Sequence, residues 1–488
     1  MVGKDNNARS RRKRSPKIEM RTPARAAMWY FAGGAIGKAV GLIATPIFTR
    51  LLSSEEYAIL PLFMTWVGLL GAVTGIAGAL GVRGRMVIEN KYGAGLSAAL
   101  LGYGYLHILV GMMLYFLLYP LLSPLGAPSV SLSLLVFLEL FIDCTIFNET
   151  TRLKAKFSYA RAVAIGIFLS VAPVLISYII ILVFGARGDG RVFGTLIAGG
   201  ILAVPIILRA LKGGKLYNGK VWRELFHTEM PLLPRNVATA LLFSADRLMI
   251  TAFYGATALS AYTISHSVGA VGGFIVTALS AALTPWVIRR ISVGRTEGLL
   301  EAADTAAMLL VLFAVLLCGV APEALRILAP SGYDLPLFVI APLALSSVPL
   351  FLSGLLSAVA ASEGRGASAA LPGVIAAALT VGLNALFFSL FPIDVAGVGY
   401  FIASLVGLFV AGAIRKRQGG APLFSRDKLI LSLFVGGILC LTALAYDYSI
   451  AMRAVLILLA VVISMPLLFG FIVKVGIKKR PKTGDGTV

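Results

Sequence analysis

Fourteen apolar stretches, each about 20 residues or longer, follow one another along this chain. They cover 27–50, 57–80, 97–121, 129–150, 160–184, 192–210, 230–254, 257–288, 302–320, 335–360, 368–390, 394–414, 428–446 and 452–473. At 1.5 Å of rise per residue, a helix of that length crosses a hydrocarbon core of about 30 Å. The backbone of a spanning segment has no water to bond to, so each stretch is expected to be helical. Of 488 residues, 58% are hydrophobic and 13% charged, whereas a soluble chain carries about a quarter charged residues. The expected fold is an all-α polytopic membrane protein of about fourteen transmembrane helices.

The net charge of +21 would suggest nucleic acid in a soluble chain. Its placement points elsewhere. Lysines and arginines concentrate on cytoplasmic connections. With the first residue inside, the inner segments hold the basic tail, Arg83 and Arg85, Arg152 to Arg161, Arg209 to Arg223, Arg289 to Arg295, Arg415 to Lys428 and the basic end of the chain. The outer segments hold Arg50, Arg187, Arg191, Arg326 and Arg453, with acids such as Glu55, Glu56, Asp189 and Glu323. Both termini are therefore expected in the cytoplasm, in a multi-pass protein of the cytoplasmic membrane. Residues 1–26, with the run RRKRSPK, read as a disordered tail drawn to anionic lipid. Arg11-Arg12 is no export signal, because the apolar stretch behind it is too long.

An internal repeat divides the spans. In one half a charged helix ends at Thr49-Arg50 and LLSSEEYAILPLF follows; in the other, FYGATALSAYTIS follows a charged helix. The layout is then an N-terminal six-helix lobe over 27–210, a cytoplasmic linker over 211–229 and a C-terminal six-helix lobe over 230–414. Two additional helices over 415–473 and a basic cytoplasmic tail over 474–488 complete it. Parallel six-helix halves put a substrate path between them. Gly33, Gly37 and Gly41 recur every four residues, as do Gly71 and Gly75, and such faces suit close helix packing.

Ionisable residues inside spans face protein or a water-filled cavity. The seventh span carries Arg235, Asn236, Asp246 and Arg247. Arg235 and Asp246 share one helix face, and Asn236 and Arg247 the neighbouring face. One member of Asp246-Arg247 should face the path and the other an adjoining helix. Lys38 sits in mid-span, where it either pairs with an acid or meets substrate in a cavity. The surrounding AGGAIGKA is no phosphate-binding loop, since Ala32 and Ala39 stand where that motif needs Gly and Ser or Thr. Glu139 and Asp143 share a face of the fourth span. They suit a proton or cation site, or a structural pairing with Lys38 or Arg235. His107 and His266 read as core residues. Cys144, Cys318 and Cys440 lack metal-ligand spacing, and no cofactor motif is present.

Several stretches resemble one family. TPIFTRLLSSEEYAI, FSADRLMITAFYGATALSAYTISHSVG and ALTPWVIRR are similar to the polysaccharide-transport, or oligosaccharide flippase, family of the multidrug/oligosaccharidyl-lipid/polysaccharide exporter superfamily. The resemblance implies two six-helix lobes around a V-shaped cavity, two extra C-terminal helices, and alternating-access movement of a lipid-linked oligosaccharide. Such substrates carry an isoprenoid tail and a phosphate or pyrophosphate. Lys38, Arg235 and Arg247 would hold the phosphate, with Asn236 beside them. Glu139, Asp143 and Asp246 offset the three cations, which suits a sugar-rich, weakly charged repeat unit. Membrane lipids and glycan polymerases or transferases are the candidate partners, and nucleic acid is not. An ion-coupled antiporter for organic cations and a peptidoglycan-precursor flippase are the related alternatives. A membrane glycosyltransferase would need a larger outer loop than any present.

Overall fold

The computed structural model describes residues 21–74, 80–89, 92–123, 127–230 and 233–476. Within these, side chains are described except at 21–28, 30, 31, 80–82, 94, 235, 243, 464 and 466–476. The basic tail over 1–20, Gly75 and the final residues 477–488 thus lie outside the described residues, as does the side chain of Arg235.

Among the described residues the chain is helical with no strand. The first half comprises α1 (Arg21–Leu51), α2 (Ser54–Val73), α3 (Leu80–Glu89), α4 (Leu96–Leu122), α5 (Val130–Ala155), α6 (Tyr159–Phe184), α7 (Arg187–Gly213) and α8 (Gly219–Glu229). The second comprises α9 (Leu233–Gly269), α10 (Gly272–Ser292), α11 (Leu299–Leu328), α12 (Ile340–Leu345), α13 (Ser347–Ser362), α14 (Gly366–Leu390), α15 (Val398–Arg417), α16 (Arg426–Ala445) and α17 (Ile450–Gly476). Among the described residues, twelve stretches are long and apolar enough to cross a membrane. One of them, Ser244–Ser292, contains a break at Gly255, where the seventh expected span gives way to the eighth. The fourteenth expected span falls on α17, which among the residues with described side chains is apolar over Ile450–Ile463. The fold is the polytopic helical one that the apolar periodicity predicts.

Local chemistry sets the turns. Ser53 caps α2 in a reciprocal box: its hydroxyl accepts from the Glu56 N–H, and its own N–H donates to Glu56 Oε2 at 2.9 Å. Glu56 also pairs with Arg187 at 2.6 Å, which fixes the start of α7 beside α2. Gly255 has φ +85°, a conformation that costs an L side chain about 1 kcal/mol or more, so the chain reverses there.

Helix packing forms two groups. α6 packs on α7 and α1, and α5 on α4 and α7; in the other group α14 packs on α15 and α9, and α13 on α10 and α15. The groups meet along α2 and α9. Lipid tails are as apolar as leucine, so close approach rather than hydrophobicity drives such contacts. Gly33 and Gly37 supply it: a Cβ at Gly37 would lie 2.8 Å from Ser170 Oγ, and one at Gly33 2.7 Å from Val163 Cγ1. Gly41, expected on the same packing stripe, has nothing within 4 Å and faces open space.

The two C-terminal helices dock on α11. Arg453, which the charge count assigns to an outer loop, is 2% exposed. It donates to the Gly319 carbonyl at 3.1 Å and to Glu323. Arg453→Ala removes all three bonds and frees the start of α17. We predict a lower aggregation temperature for the purified protein, by a few degrees, and faster proteolysis near residue 450. An unchanged temperature would remove the pin from the account.

Arg83 also departs from its expected place on a solvated loop. It is 1% exposed. Its guanidinium donates to both Glu229 oxygens, at 2.7 and 2.8 Å, and to Asn148 Oδ1 at 2.9 Å. These bonds tie the short helices α3 and α8 to α5. Trp222 Nε1 adds a bond to the Ala99 carbonyl at 3.0 Å. Of the expected linker over 211–229, α8 is thereby packed on the first group, while 211–220 is mostly exposed.

Candidate functional site

At the end opposite the basic connections, the two groups are joined. Thr49 Oγ1 donates to the Leu328 carbonyl at 2.7 Å, and Tyr333 OH to the Leu52 carbonyl at 3.0 Å. Arg50 reaches the Ile327 carbonyl at 3.2 Å. Tyr57 and Tyr333 stack edge to face with centroids 6.1 Å apart. Behind them, Arg191 lies over the rings of Phe48 at 4.5 Å and Tyr57 at 4.7 Å. Apolar side chains from both groups, among them Ala44, Phe48, Val268, Val315 and Ala321, close the layer. This end is a seal.

On the basic side of the seal, a cavity of about 650 Å³ opens along α1, α5 and α6. Its lining includes Gly37, Lys38 and Gly41 of α1, Thr150 and Lys154 of α5, and Ser170 of α6. The open face at Gly41 belongs to it. Lys38 is exposed into this space, and among the described residues it forms no ion pair. Its side chain lines the cavity rather than pairing with an acid among the described residues.

Across the seam, Asp246 is buried in the second group. It accepts from Tyr262 OH and, at 2.8 Å, from the Arg247 N–H. Arg247 Nη2 lies 3.4 Å from His266 Nδ1. Asp246, Arg247 and His266 thus form one polar cluster in the second group. A second, smaller cavity of about 160 Å³ adjoins it, lined by Asp246, His266, Ser346, Ser347 and Tyr400. Asp246 and Arg247 thus point in different directions, as their 100° separation on a helix requires. Asp246 turns into its own helix group.

The remaining residues lie apart. Asn236 is half-buried on the first turns of α9, with no side-chain hydrogen bond among the described residues. Glu139 is buried and Asp143 half-buried on α5. Neither forms an ion pair among the described residues, and Glu139 Oε2 has no hydrogen-bond partner there. Of the structural partners open to them from sequence, Lys38 forms no pair with either among the described residues, and the side chain of Arg235 lies outside those described. By spacing they continue the α5 face that bears Ile146 and Thr150, one to two turns nearer the seal. Among the described residues, no cluster of His, Cys, Asp or Glu is arranged to hold a metal ion.

Sequence reasoning did not single out Tyr262, Tyr400 or Tyr333. Each is a tyrosine in an apolar run, and only the fold shows that its hydroxyl meets Asp246, its neighbourhood or the seal. His266, read as a core residue, is half-buried and lies beside Arg247. A clue was available: 262, 266 and 269 recur at helical spacing, which places Tyr262, His266 and Gly269 on one face.

The family model described as "Polysaccharide biosynthesis protein" matches residues 24–291, more than half of the chain. Among solved structures, the chain is similar to the lipid II flippase MurJ in an inward closed conformation, with 13% identity, a TM-score of 0.69, and coverage of 91% of this chain and 98% of that one. It is also similar to a multidrug resistance MATE family transporter of the MOP superfamily in an inward-facing conformation. Identity there is 15%, the TM-score is 0.60, and coverage is 78% of this chain and 94% of that one. No curated protein sequence matches.

Proposed function

The chain belongs to the polysaccharide biosynthesis protein family and has the fold of MOP-superfamily transporters, and on that premise we propose that it is a flippase for a lipid-linked oligosaccharide. The observation that carries this reading is Lys38, a mid-span cation exposed into a cavity of about 650 Å³ without an ion-pair partner among the described residues. A charge at that depth is costly. An anionic phosphate or pyrophosphate entering from the basic side would offset the cost, with Arg235, Asn236 and Arg247 of α9 as the further donors we assign. The sugars would occupy the cavity while the isoprenoid tail stays in lipid. We place the basic end and both termini in the cytoplasm, and the chain in the cytoplasmic membrane. The two helix groups would act as lobes, 27–210 and 230–414, that rock about the α2–α9 seam to break the seal at Thr49, Tyr57 and Tyr333. Transport needs no covalent step, so no catalytic residue is assigned.

The coupling ion would engage Glu139, Asp143 or Asp246. An unpartnered buried carboxylate is stable only when protonated or beside a cation, and Glu139 Oε2 has that character. The same observation favours the second reading, an ion-coupled antiporter for organic cations. A peptidoglycan-precursor flippase would share the isoprenoid pyrophosphate and differ in the headgroup, which carries a peptide as well as sugars.

Two measurements test the proposal. First, purified protein in vesicles should move a sugar-labelled, isoprenoid-linked oligosaccharide to the opposite leaflet, read by access of an impermeant glycosidase. Empty vesicles set the background, and movement no faster than theirs would refute the flippase reading. Second, Gly41→Cys has room for its side chain. In cells it should react with an impermeant thiol reagent only from the cytoplasmic side. Tyr333→Phe, which deletes the bond to Leu52, should raise labelling from outside several-fold. Equal labelling from both sides in the parent would contradict a sealed outer end.

A further inference from the structure

A second cavity, of about 460 Å³, lies at the basic end of the first helix group between α4, α5 and α7. α5 is the wall it shares with the Lys38 cavity. Ile146, Thr150 and Lys154 face one side of that helix, and Asn148, Arg152 and Lys156 the other. The two cavities are therefore separate sites, and nothing in the transport mechanism uses the second.

Its charges are organised. Glu149 is buried, and both of its oxygens are taken: Oε1 by Arg152 at 2.7 Å and Oε2 by Arg209 at 2.7 Å. The acid holds the two guanidiniums in place and leaves a surplus of positive charge. Lys156, on the same wall, is exposed and forms no ion pair among the described residues. Three cations thus surround one satisfied carboxylate. Arginine forks matched to a phosphate give bidentate, charge-assisted bonds.

The surroundings point to lipid rather than to a dissolved anion. Val204, Leu208 and Leu211, on the α7 turns beside Arg209, are about half exposed, at 57%, 55% and 45%. They lie on the outer face of α7, about half a turn round the helix from the cavity-lining Ile206, Ala210 and Gly213, with the Arg209 side chain between the two faces. Basic pockets between transmembrane helices at the cytoplasmic side suit anionic headgroups. A volume of 460 Å³ is in the range of small-ligand sites, about 300–1,000 Å³. We infer that Arg152, Lys156 and Arg209 form a binding site for the phosphate headgroup of an anionic membrane phospholipid, whose acyl chains lie along α7. The site braces α4, α5 and α7 while the two helix groups move.

The test uses the full-length protein in a neutral detergent. Phosphatidylglycerol, phosphatidylcholine and inorganic phosphate are added separately, and binding is followed by native mass spectrometry and thermal aggregation. Phosphatidylglycerol should bind as a discrete adduct and raise the aggregation temperature, and phosphatidylcholine should not. Lys156→Gln should weaken phosphatidylglycerol about fivefold, from the worth of one cation near an anionic headgroup. Lys416→Gln, at the same end but on α15 of the other group, should leave it unchanged. The Lys156 change breaks no ion pair among the described residues, so folding should survive it. Equal effects of the two lipids, or of the two lysine changes, would reduce the site to general surface attraction and overturn the assignment. Full stabilisation by inorganic phosphate alone would make it a free-anion site and overturn the lipid.

Discussion

Lys38→Ala should lower transport about ten- to a hundredfold at an unchanged protein level, the usual worth of a bond to a charged partner. The physical basis is the absence of a structural role. Among the described residues Lys38 forms no ion pair, and it is exposed into the cavity. Truncation therefore leaves no buried acid unpaired, and the aggregation temperature should not fall. On the proposed flippase reading, what is lost is a mid-membrane cation that would meet the substrate phosphate. Lys38→Arg keeps the charge and should retain part of the activity, while Lys38→Glu should abolish it by repulsion. The sign also separates the two transport readings. For an organic-cation antiporter, deleting a positive charge from the cavity should leave export unchanged or raise it.

Arg83→Ala should destabilise the protein by about 3–5 kcal/mol, the usual cost of breaking a buried ion pair from one side. Arg83 and Glu229 are both nearly fully buried, with side chains 1% and 4% exposed. Their bidentate contact and the bond to Asn148 satisfy the guanidinium inside the protein. Removing the arginine leaves the Glu229 carboxylate without its partner in a low dielectric, and removes the tie between α3, α8 and α5. The expected readout is little mature protein in the membrane and a large fall in aggregation temperature. The double change Arg83→Leu, Glu229→Leu should recover much of the loss, because an apolar pair of similar volume has no charge to strand. If Arg83→Ala alone is as stable as the parent, the network is ornamental.

The spans were legible because a bilayer imposes one rule on every segment, and apolar length reports it directly. The break between the seventh and eighth spans was legible as well, from the bounds of the two apolar stretches, 230–254 and 257–288, which fall on either side of Gly255. Single charges were harder to read. Arg83 and Arg453 have the sequence setting of solvated loop cations, yet each is buried against an acid more than a hundred positions away. No local pattern records such a pairing. Lys38 was recognisable as exceptional because a mid-span charge is costly wherever it points. Its direction depended on the neighbours of α1: Gly33 and Gly37 turn one face onto α6, and Lys38 and Gly41 are left facing the cavity. The tyrosines at 262 and 333 carry polar groups whose partners lie in other turns or helices, and a tyrosine in an apolar run looks the same whether or not its hydroxyl is used.

The central claim is that this chain moves a lipid-linked oligosaccharide, and the most direct measurement is made in cells that lack it. Lipid-linked oligosaccharides are quantified by mass spectrometry, and surface polysaccharide is quantified in parallel. The account predicts that lipid-linked units accumulate while the surface glycan disappears, and that a plasmid carrying the parent chain, but not Lys38→Ala, reverses both. Unchanged levels of the two would contradict it, and would direct attention to small-cation export and to Glu139 and Asp143.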